Sequence, residues 1–460
     1  MLQKFRLTVT AALLLGLVSS TAGCGGGKTP TAPREGPGTS ASAPSAQPKE
    51  PVKLVMWWWG DQEAQGAKQW VDETIQEYQK LHPEVTIEAV LQTTDGLYPA
   101  FEAAAKAKKG PDIQYLWGGI NTLGMAWQGY LAPISDYIPE QEWRHYLNHH
   151  EELYDGKLWS APWYTQPSFP IVYNKELFAK AGLDPEKPPK SWDEFVAAAE
   201  KLKAAGITPL AGGLKDGWFG GWLFSVFGAQ NLDSAEDIIQ AVVSGDLTDR
   251  KYSEWVYKLA ETIEKGYWNP DITSLELYQG LALWTQGKAA MTWVAGSDIR
   301  KFVTQMGAER VGVMTAPVFG RGKLAGTFGS TSQTLAITSF SQHKEQAADF
   351  IRFTHEPQRM KRFYEITGSI PADDRFPVEA ITLPQQKEIF RWMTQNGGAY
   401  IENFIPAKLD SEGNFAGMQL LFSGSKKPDE VVQLLQDVVK KWRDENPAEV
   451  ERFKSWKPNG

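Results

Sequence analysis

The chain has 460 residues, too many for one hydrophobic core and enough for two domains. Its 42% hydrophobic and 22% charged residues are typical of a soluble globular protein, and its net charge of −8 argues against a nucleic acid partner, because phosphate binding needs a basic face. A single cysteine excludes an intramolecular disulfide. The 19 Trp, 15 Tyr and 21 Phe are expected mostly in the core, but Trp in loops beside Gly and polar residues indicates flat apolar walls for a ligand.

The first 23 residues are predicted to be a secretion signal, with a basic start followed by a short apolar core from Leu7 to Val18. The sequence from Thr21 to Cys24 matches a bacterial lipobox, although Thr21 stands where Leu is commoner. This match implies cleavage before Cys24 and lipidation of that residue, which holds a protein at a membrane surface. An ordinary signal peptide that happens to carry a cysteine is the alternative.

Residues 24–51 are rich in Gly, Thr, Pro, Ser and Ala. Such a segment cannot bury enough apolar surface to fold, so we predict a flexible tether. No later segment has the ~20 consecutive apolar residues that a membrane-spanning helix needs.

Three apolar runs are predicted strands: Lys53–Trp57, Val85–Leu91 and Asp112–Leu116. Helical patterns around 67–78 and 101–109 separate them. This alternation favours a parallel sheet in an α/β fold, in which ligands sit at the carboxyl ends of the strands. The loops that follow these strands are therefore candidate binding loops.

The stretch from Tyr154 to Gly213 begins with a turn and an aromatic-rich passage and continues into a predicted strand, Ile171–Tyr173. The aromatic residues, expected to form an exposed cluster, are Trp159, Trp163, Tyr164 and Phe169. Further on, Ser191 and Glu194 have the spacing of a capping box and predict the start of a helix that ends at Gly206.

The pieces of this stretch, in their order and spacing, resemble the central signature of family 1 extracellular solute-binding proteins, the sugar receptors of bacterial ABC importers. The resembling pieces are Asp155-Gly156-Lys157, Pro162, Tyr173-Asn174-Lys175, Phe178, Ala181-Gly182-Leu183, Pro188-Pro189 and Ser191-Trp192-Asp193-Glu194-Phe195. Weaker similarity runs over nearly all of the chain that follows the signal and includes Gly287–Met291, Val311–Pro317 and Ser369–Ala372.

The resemblance implies two α/β lobes of the periplasmic-binding-protein type, each a mainly parallel sheet flanked by helices, with a hinge between them. The implied lobes are discontinuous: 52–166 with 295–343, and 167–294 with 344–460. It further implies a monomer that is not an enzyme and needs no cofactor or metal. Such a protein, held on the outer face of the cell membrane, binds a carbohydrate between its lobes and passes it to the permease of an ABC importer.

Two Gly-rich passages are predicted to be loops. Gly217–Trp222 places aromatic residues between glycines, which weaken both helices and strands, so we favour a ligand wall over plain packing there. Gly326–Thr331 precedes a predicted strand, Thr334–Ile337.

Sugar recognition combines aromatic rings, which stack on the apolar faces of the ring, with side chains that hydrogen-bond to hydroxyl groups. The loops named above offer both kinds of side chain, and their positions follow the resemblance. The predicted ligand-binding residues are Trp59, Asp61, Thr94, Asp95, Trp117, Asn121, Tyr164, Gln166, Trp218, Phe219, Trp222, Trp293, Gly296, Ser297, Gly329, Ser330 and Asn403. The abundance of Trp favours a disaccharide or an oligosaccharide, while peptides, polyols and phosphorylated glycerol stay open.

The rival classes are an extracellular glycoside hydrolase and a cell-surface carbohydrate-binding module. No local motif marks a pair of catalytic carboxylates, and the GxSxG motif of a serine nucleophile is absent. His145 and His149 stand four residues apart, but there is no HExxH motif. Their acidic neighbours, Glu151 and Glu152 among them, are interpreted as a solvated face, so no metal site is predicted.

Overall fold

The computed structural model describes residues 50–94, 96–167 and 169–458, with the side chains of 166 and 167 left out. The strands are β1 (Val52–Trp58), β2 (Val85–Leu91), β3 (Ile113–Trp117), β4 (Leu131–Ala132), β5 (Leu153–Tyr154), β6 (Lys157–Leu158), β7 (Ala161–Pro167), β8 (Ile171–Asn174), β9 (Thr208–Leu210), β10 (Ala289–Trp293), β11 (Val311–Met314), β12 (Phe328–Thr338) and β13 (Gly397–Gly398). The signal, the tether and Cys24 lie outside the described residues.

The α-helices lie between these strands and after them. They are α1 (Ala67–Leu81), α2 (Leu97–Lys106), α3 (Ile120–Trp127), α4 (Glu140–Trp143), α5 (Lys175–Lys180), α6 (Trp192–Ala204), α7 (Trp218–Phe227), α8 (Ala235–Ser244), α9 (Arg250–Glu264), α10 (Leu277–Thr285), α11 (Ile299–Met306), α12 (Lys344–Thr354), α13 (Pro357–Thr367), α14 (Pro384–Gln395), α15 (Ala416–Phe422), α16 (Pro428–Glu445) and α17 (Pro447–Ser455). A π-helical segment, Leu409–Phe415, precedes α15.

The first sheet has the strand order β13-β12-β3-β1-β2, and β4 and β7 also pair with β12. Strands β1, β2 and β3 are parallel, as the alternation of strands and helices predicts, while β12 runs antiparallel to β3. The carboxyl ends of β1, β2 and β3 therefore meet at one edge of the sheet, where their loops lie together.

The second sheet has the order β11-β8-β10-β9. Each sheet carries its own core: residues of β1, β3, α1 and α12 fill one, and residues of β8, β10, α6, α7 and α16 fill the other. The capping box at the start of α6 is confirmed, since Ser191 Oγ accepts from the N–H of Glu194 and the Glu194 carboxylate accepts from the N–H of Ser191. The described chain is thus a mixed α/β protein with two large sheets and a two-stranded sheet of β5 and β6.

Two segments pair or pack with the sheet of the lobe other than the one predicted for them. Strand β11, predicted in the first lobe, pairs with β8 of the second sheet. Helix α12, predicted in the second lobe, packs Ala347 and Ile351 into the core of the first sheet. The lobe boundaries themselves stay a prediction.

The predicted exposed cluster of aromatic residues is largely buried, contrary to expectation. Trp163 and Tyr164 lie on β7, where Trp163 packs against Trp70 with ring centroids 5.5 Å apart. Phe169 stacks on Trp222 of α7 at 4.2 Å. Trp163 and Tyr164 are buried because β7 pairs with β12 within the first sheet, and Phe169 is buried against α7 in the second core.

Both Gly-rich passages form regular structure, so their prediction as loops is wrong. Residues 218–227 are helix α7, whose Gly220 and Gly221 let the π-helical segment approach; a Cβ on Gly221 would stand 2.7 Å from Phe415 Cε1. Residues 328–331 begin strand β12, where a Cβ on Gly329 would stand 2.6 Å from the carbonyl oxygen of Ala399. The glycines serve close packing here rather than a turn.

Among the described residues, no helix combines the length and apolar character needed to cross a membrane.

Candidate functional site

A cleft of about 900 Å³ opens between the two sheets, at the carboxyl ends of β1 and β3. Its first wall, formed by Trp59 and Trp117, belongs to the first sheet and its loops. Its second wall, formed by Trp218 and Trp222, belongs to α7. The other residues lining it are Gln62, Glu63, Thr93, Thr94, Gly118, Ile120, Asn121, Asp216, Glu276, Leu277, Tyr278, Ala295, Thr331, Ser332, Gln333, Tyr400, Glu402, Asn403, Ile405, Ala407, Asp410, Ser411 and Phe415.

The first wall is held in place by hydrogen bonds. The indoles of Trp59 and Trp117 meet edge to face, with centroids 5.6 Å apart. Trp59 Nε1 donates to Thr94 Oγ1 at 3.0 Å. The ring of Tyr98 stacks under Trp117 at 5.2 Å, and its hydroxyl accepts from the backbone N–H of Trp117. These contacts fix both indoles before a ligand arrives.

The second wall differs in exposure. Trp222 is 8% exposed and stacks on Phe169 at an interplanar angle of 14°. Trp218, one helical turn earlier, is 41% exposed and leans on Phe415 at 5.3 Å. An exposed Trp over a cleft offers a flat apolar face that no protein group covers.

Polar side chains of β12 and of the 401–404 turn form the base of the cleft. Gln333 Oε1 accepts from the Tyr115 hydroxyl at 2.6 Å, which fixes the orientation of the amide. Asn403 Nδ2 donates to Glu151 Oε2 at 2.8 Å and to Thr331 Oγ1. Because Asn403 lies beside the second core and Thr331 in the first sheet, this network joins the two sides of the cleft.

Carboxyl groups of unusual pKa line the cleft. Burial, and next the charge of Asp298, raise the pKa of Glu63 from 4.5 to about 8. Burial raises the pKa of Glu402, and burial together with the charge of Glu402 raises that of Asp410 well above its usual range. These three groups take up a proton far more readily than exposed carboxylates.

Two other acidic residues stand behind the base of the cleft, and their interpretation as a solvated face is wrong. Glu151 and Glu152 are buried, and burial raises the pKa of Glu151 to about 8. Glu152 accepts from the backbone N–H of Gly119 at 2.8 Å and from Ser160 Oγ at 3.1 Å. Internal hydrogen bonds replace the water that the sequence pattern predicted.

Seven predicted residues line the cleft and eight described ones do not. Those that line it are Trp59, Thr94, Trp117, Asn121, Trp218, Trp222 and Asn403. Asp95 lies outside the described residues; Gln166 lies in β7, opposite Thr331, with its side chain outside the described part.

The eight residues that do not line the cleft have other contacts. Asp61 Oδ1 accepts from the N–H of Lys68 at the start of α1, and Ser297 Oγ is 3.4 Å from Glu63 Oε1. Phe219 packs against Trp293, and Trp293 stacks on Trp268 at 5.6 Å in the second core. The others are Tyr164, buried beside Tyr115; Gly296, in the turn after β10; and Gly329 and Ser330, at the start of β12.

Sequence reasoning missed all five acidic residues of the described lining. Glu63 follows Trp59 in the loop after β1, so the strand-end rule that selected Trp59 could have found it. Glu402 lies in a short 3-10 helix and Asp410 in the π-helical segment, and neither carries a local sequence signal. His145 and His149 bond instead to Asp374 and the carbonyl of Tyr146. In the described part of the chain, no group of three or more His, Cys, Asp or Glu side chains could hold a metal ion.

Comparison with known proteins shows one consistent similarity. Residues 60–358 match the family model of the bacterial extracellular solute-binding proteins. The chain is 25% identical over 457 residues to an uncharacterized ABC transporter extracellular-binding protein of Pyrococcus horikoshii, covering 95% of this chain and 98% of that protein. It is 25% identical over 337 residues to an sn-glycerol-3-phosphate-binding periplasmic protein of Brucella abortus, covering 69% and 74%.

A solved chitin oligosaccharide binding protein has a similar fold. It superposes with a TM-score of 0.74 at 23% identity, covering 85% of this chain and 98% of that chain. At that level of identity, the likeness shows the fold alone.

Proposed function

The chain belongs to the bacterial extracellular solute-binding protein family, the non-catalytic binding components of ABC transporters, and from that premise we propose that it captures a disaccharide or an oligosaccharide in the cleft between its lobes. The observation that carries this proposal is the pair of aromatic walls that face one cleft from its two sides. Flat indole faces suit the apolar faces of sugar rings.

The polar lining supports the same ligand class. Asn121, Gln333 and Asn403 offer amide groups that can both donate to and accept from hydroxyl groups. In a cleft shielded from water, a ligand that leaves such a group unmatched loses about 1–3 kcal/mol. Discrimination between sugars therefore follows from the placement of these amides.

The size of the cleft favours more than one sugar unit. Its volume of about 900 Å³ lies at the upper end of the range of ~300–1,000 Å³ that is usual for ligand pockets. The chitin oligosaccharide binding protein of similar fold is consistent with this class.

A phosphate-bearing ligand, as in the name of the Brucella relative, is less compatible with the cleft. None of the described residues that line it is Lys, Arg or His, and phosphate recognition relies on such groups. We therefore infer that this chain does not share the glycerol phosphate specificity in the name of that relative.

Ligand contacts on both sides of the cleft supply the differential affinity that closure of two lobes requires. We propose that the closed form docks on the permease of an ABC importer, and that the protein acts as a monomer held at the outer face of the cell membrane by a lipid on Cys24. Replacing the thiol in Cys24→Ser should release the protein into the soluble fraction. Retention of this variant in the membrane fraction would contradict the lipid anchor.

A thermal-shift screen against mono-, di- and oligosaccharides tests the proposal. A ligand at 100 times its Kd adds roughly 2.7 kcal/mol to the free energy of unfolding, so binding raises Tm measurably. Chromatography of each sugar after a day should show it intact. A Tm unchanged by every sugar would contradict the carbohydrate class, and a cleaved sugar would indicate a hydrolase.

A further inference from the structure

Acidic side chains line the cleft, and one of them, Glu276, pairs with a lysine on the rim. Its described lining contains five carboxyl groups and no basic side chain. They are Glu63, Asp216, Glu276, Glu402 and Asp410. A neutral sugar needs hydrogen-bonding groups of both kinds, but it does not need a cleft with one sign of charge, so the imbalance carries information about the ligand.

The strongest concentration of acidic groups in the cleft is the pair Glu402 and Asp410, beneath the second wall. Glu402 Oε2 accepts from Ser225 Oγ at 2.5 Å and from the Tyr400 hydroxyl at 3.1 Å. Asp410 Oδ1 accepts from Asn414 Nδ2 at 3.1 Å. Glu402 and Asp410 also hydrogen-bond to each other, which requires a proton on one of them, and no basic side chain of the described lining pairs with either. Both side chains still reach the cleft, where a ligand can contact them.

Glu63 is a second acidic group of the cleft, on the side of the first wall. Its oxygens lie 3.4 Å from Ser297 Oγ and 3.4–3.5 Å from Gln333 Nε2, and Asp298 adds negative charge behind it. These contacts are long, and neither partner is charged.

Three lysines that neighbour lining residues pair with acidic groups other than Glu63, Glu402 and Asp410. Lys215 pairs with Glu276 at 3.0 Å on the exposed rim, and Lys408 pairs with Glu445 at 2.6 Å. Lys301 lies 4.0 Å from Asp298, with its ammonium 5.0 Å from the centre of the Tyr278 ring. These lysines therefore do not balance the charge of Glu63, Glu402 or Asp410.

We propose that the ligand is a sugar that carries protonated amino groups, with one ammonium held between Glu402 and Asp410 under the indole of Trp218. This inference rests on the proposed function and narrows it from carbohydrates to amino sugars. An ammonium has three donors, which suit carboxylate oxygens on two side chains, and its charge balances the pair. The exposed face of Trp218 adds a cation–π contribution that a neutral sugar lacks.

Proton release on binding is a direct consequence. In the empty cleft, burial and mutual repulsion raise the pKa of the Glu402–Asp410 pair, so it holds a proton at pH values where exposed carboxylates are ionised. An ammonium favours the ionised form and lowers that pKa. The bound amino sugar therefore expels a proton, and its affinity falls as the pH is lowered towards 5.

The test compares three trimers that share one β-1,4-linked backbone and differ only in the group on carbon 2 of each ring. This group is an ammonium in the glucosamine trimer, an acetamide in the N-acetylglucosamine trimer and a hydroxyl in the glucose trimer. Isothermal titration calorimetry of the full chain, with spermidine as an amine without a sugar, gives each Kd. We expect the glucosamine trimer to bind at least tenfold more tightly than the other two and to lose this advantage in high salt.

Two variants test whether the preference for the glucosamine trimer comes from Glu402 and Asp410. Glu402→Gln and Asp410→Asn, tested separately so that either can serve if the other fails to fold, should each bring the affinity ratio of the charged to the uncharged trimers close to one. Repeating each titration in buffers of different ionisation enthalpy should show proton release for the wild type and a smaller release for the variants. Glu449→Gln is the matched control, because burial raises its pKa too but it does not line the cleft.

The outcomes separate this inference from the proposed function. Equal or tighter binding of the acetylated or the glucose trimer overturns the amino sugar and leaves the carbohydrate receptor standing, as does a preference that both variants retain. Binding of spermidine without any trimer contradicts the carbohydrate class itself. If none of the four compounds binds, the inference is wrong.

Discussion

The two walls of the cleft present the same kind of side chain in different ways. Trp59 and Trp117 extend the strands of the first sheet and are fixed by Thr94 and Tyr98. Trp218 and Trp222 stand on one helix, and the former keeps two-fifths of its surface open. The first wall is therefore preorganised, whereas the second wall exposes surface that a ligand can cover.

The largest effect should come from Trp222, because it serves both the fold and the cleft. Trp222→Ala removes the stack on Phe169 and opens a cavity in the second core, which should lower the free energy of unfolding by about 3–5 kcal/mol. Urea denaturation followed by Trp fluorescence measures this. A loss below about 1 kcal/mol would mean that α7 is not anchored through this side chain.

Next in size is a pH effect at the junction of the walls, where Glu151 bonds to Asn403 and Thr331. An unfolded Glu ionises near pH 4.5, but the pKa of folded Glu151 is about 8, so only the folded chain holds this proton between those values. The free energy of unfolding therefore falls as the pH rises through this window. Glu151→Gln should reduce that fall by roughly 2–3 kcal/mol.

Denaturation of the wild type and of the Glu151→Gln variant at pH 5 and pH 8 checks this prediction. Glu63 titrates in the same window in both chains, and its contribution cancels in the difference. Glu152 stays buried in the variant, and removing the charge of Glu151 lowers its pKa. Identical pH profiles for wild type and variant would show that Glu151 does not carry this proton.

Trp218→Ala separates ligand binding from stability. The lost apolar contact should weaken sugar binding by about 2 kcal/mol, roughly thirtyfold in Kd, with little change in Tm of the empty protein. Trp392→Ala is the control, since that indole packs on Phe328 and does not line the cleft. Equal losses of affinity in the two variants would contradict an aromatic wall at α7.

The smallest effect tests preorganisation of the first wall. Trp59→Phe keeps an aromatic face but removes the hydrogen bond from Nε1 to Thr94, which should cost about 1 kcal/mol of binding free energy. Thr94→Val removes the same bond from the other side, and the double variant should lose no more than either single one. Additive losses would show that the bond does not position the ring.

The predictions that succeeded rest on local patterns. The apolar run Val85–Leu91 is strand β2 with the predicted bounds, and the predicted strand Ile171–Tyr173 lies within β8. The capping box at Ser191 forms because its two residues satisfy each other's backbone within one turn. Such signals need no knowledge of the rest of the chain.

The sequence by itself determined the alternation of strands and helices, the family and the aromatic ends of β1 and β3, because each depends on neighbouring residues. Tertiary structure decided that Trp163 and Trp293 are core, that Glu151 is buried, and that Glu402 and Asp410 meet beside Gly221 of α7. The burial of a carboxyl group and its proximity to like charges depend on segments that are far apart in the chain. The acidic character of the cleft is therefore a property of the fold, which assembles residues that the sequence shows only as scattered carboxylates.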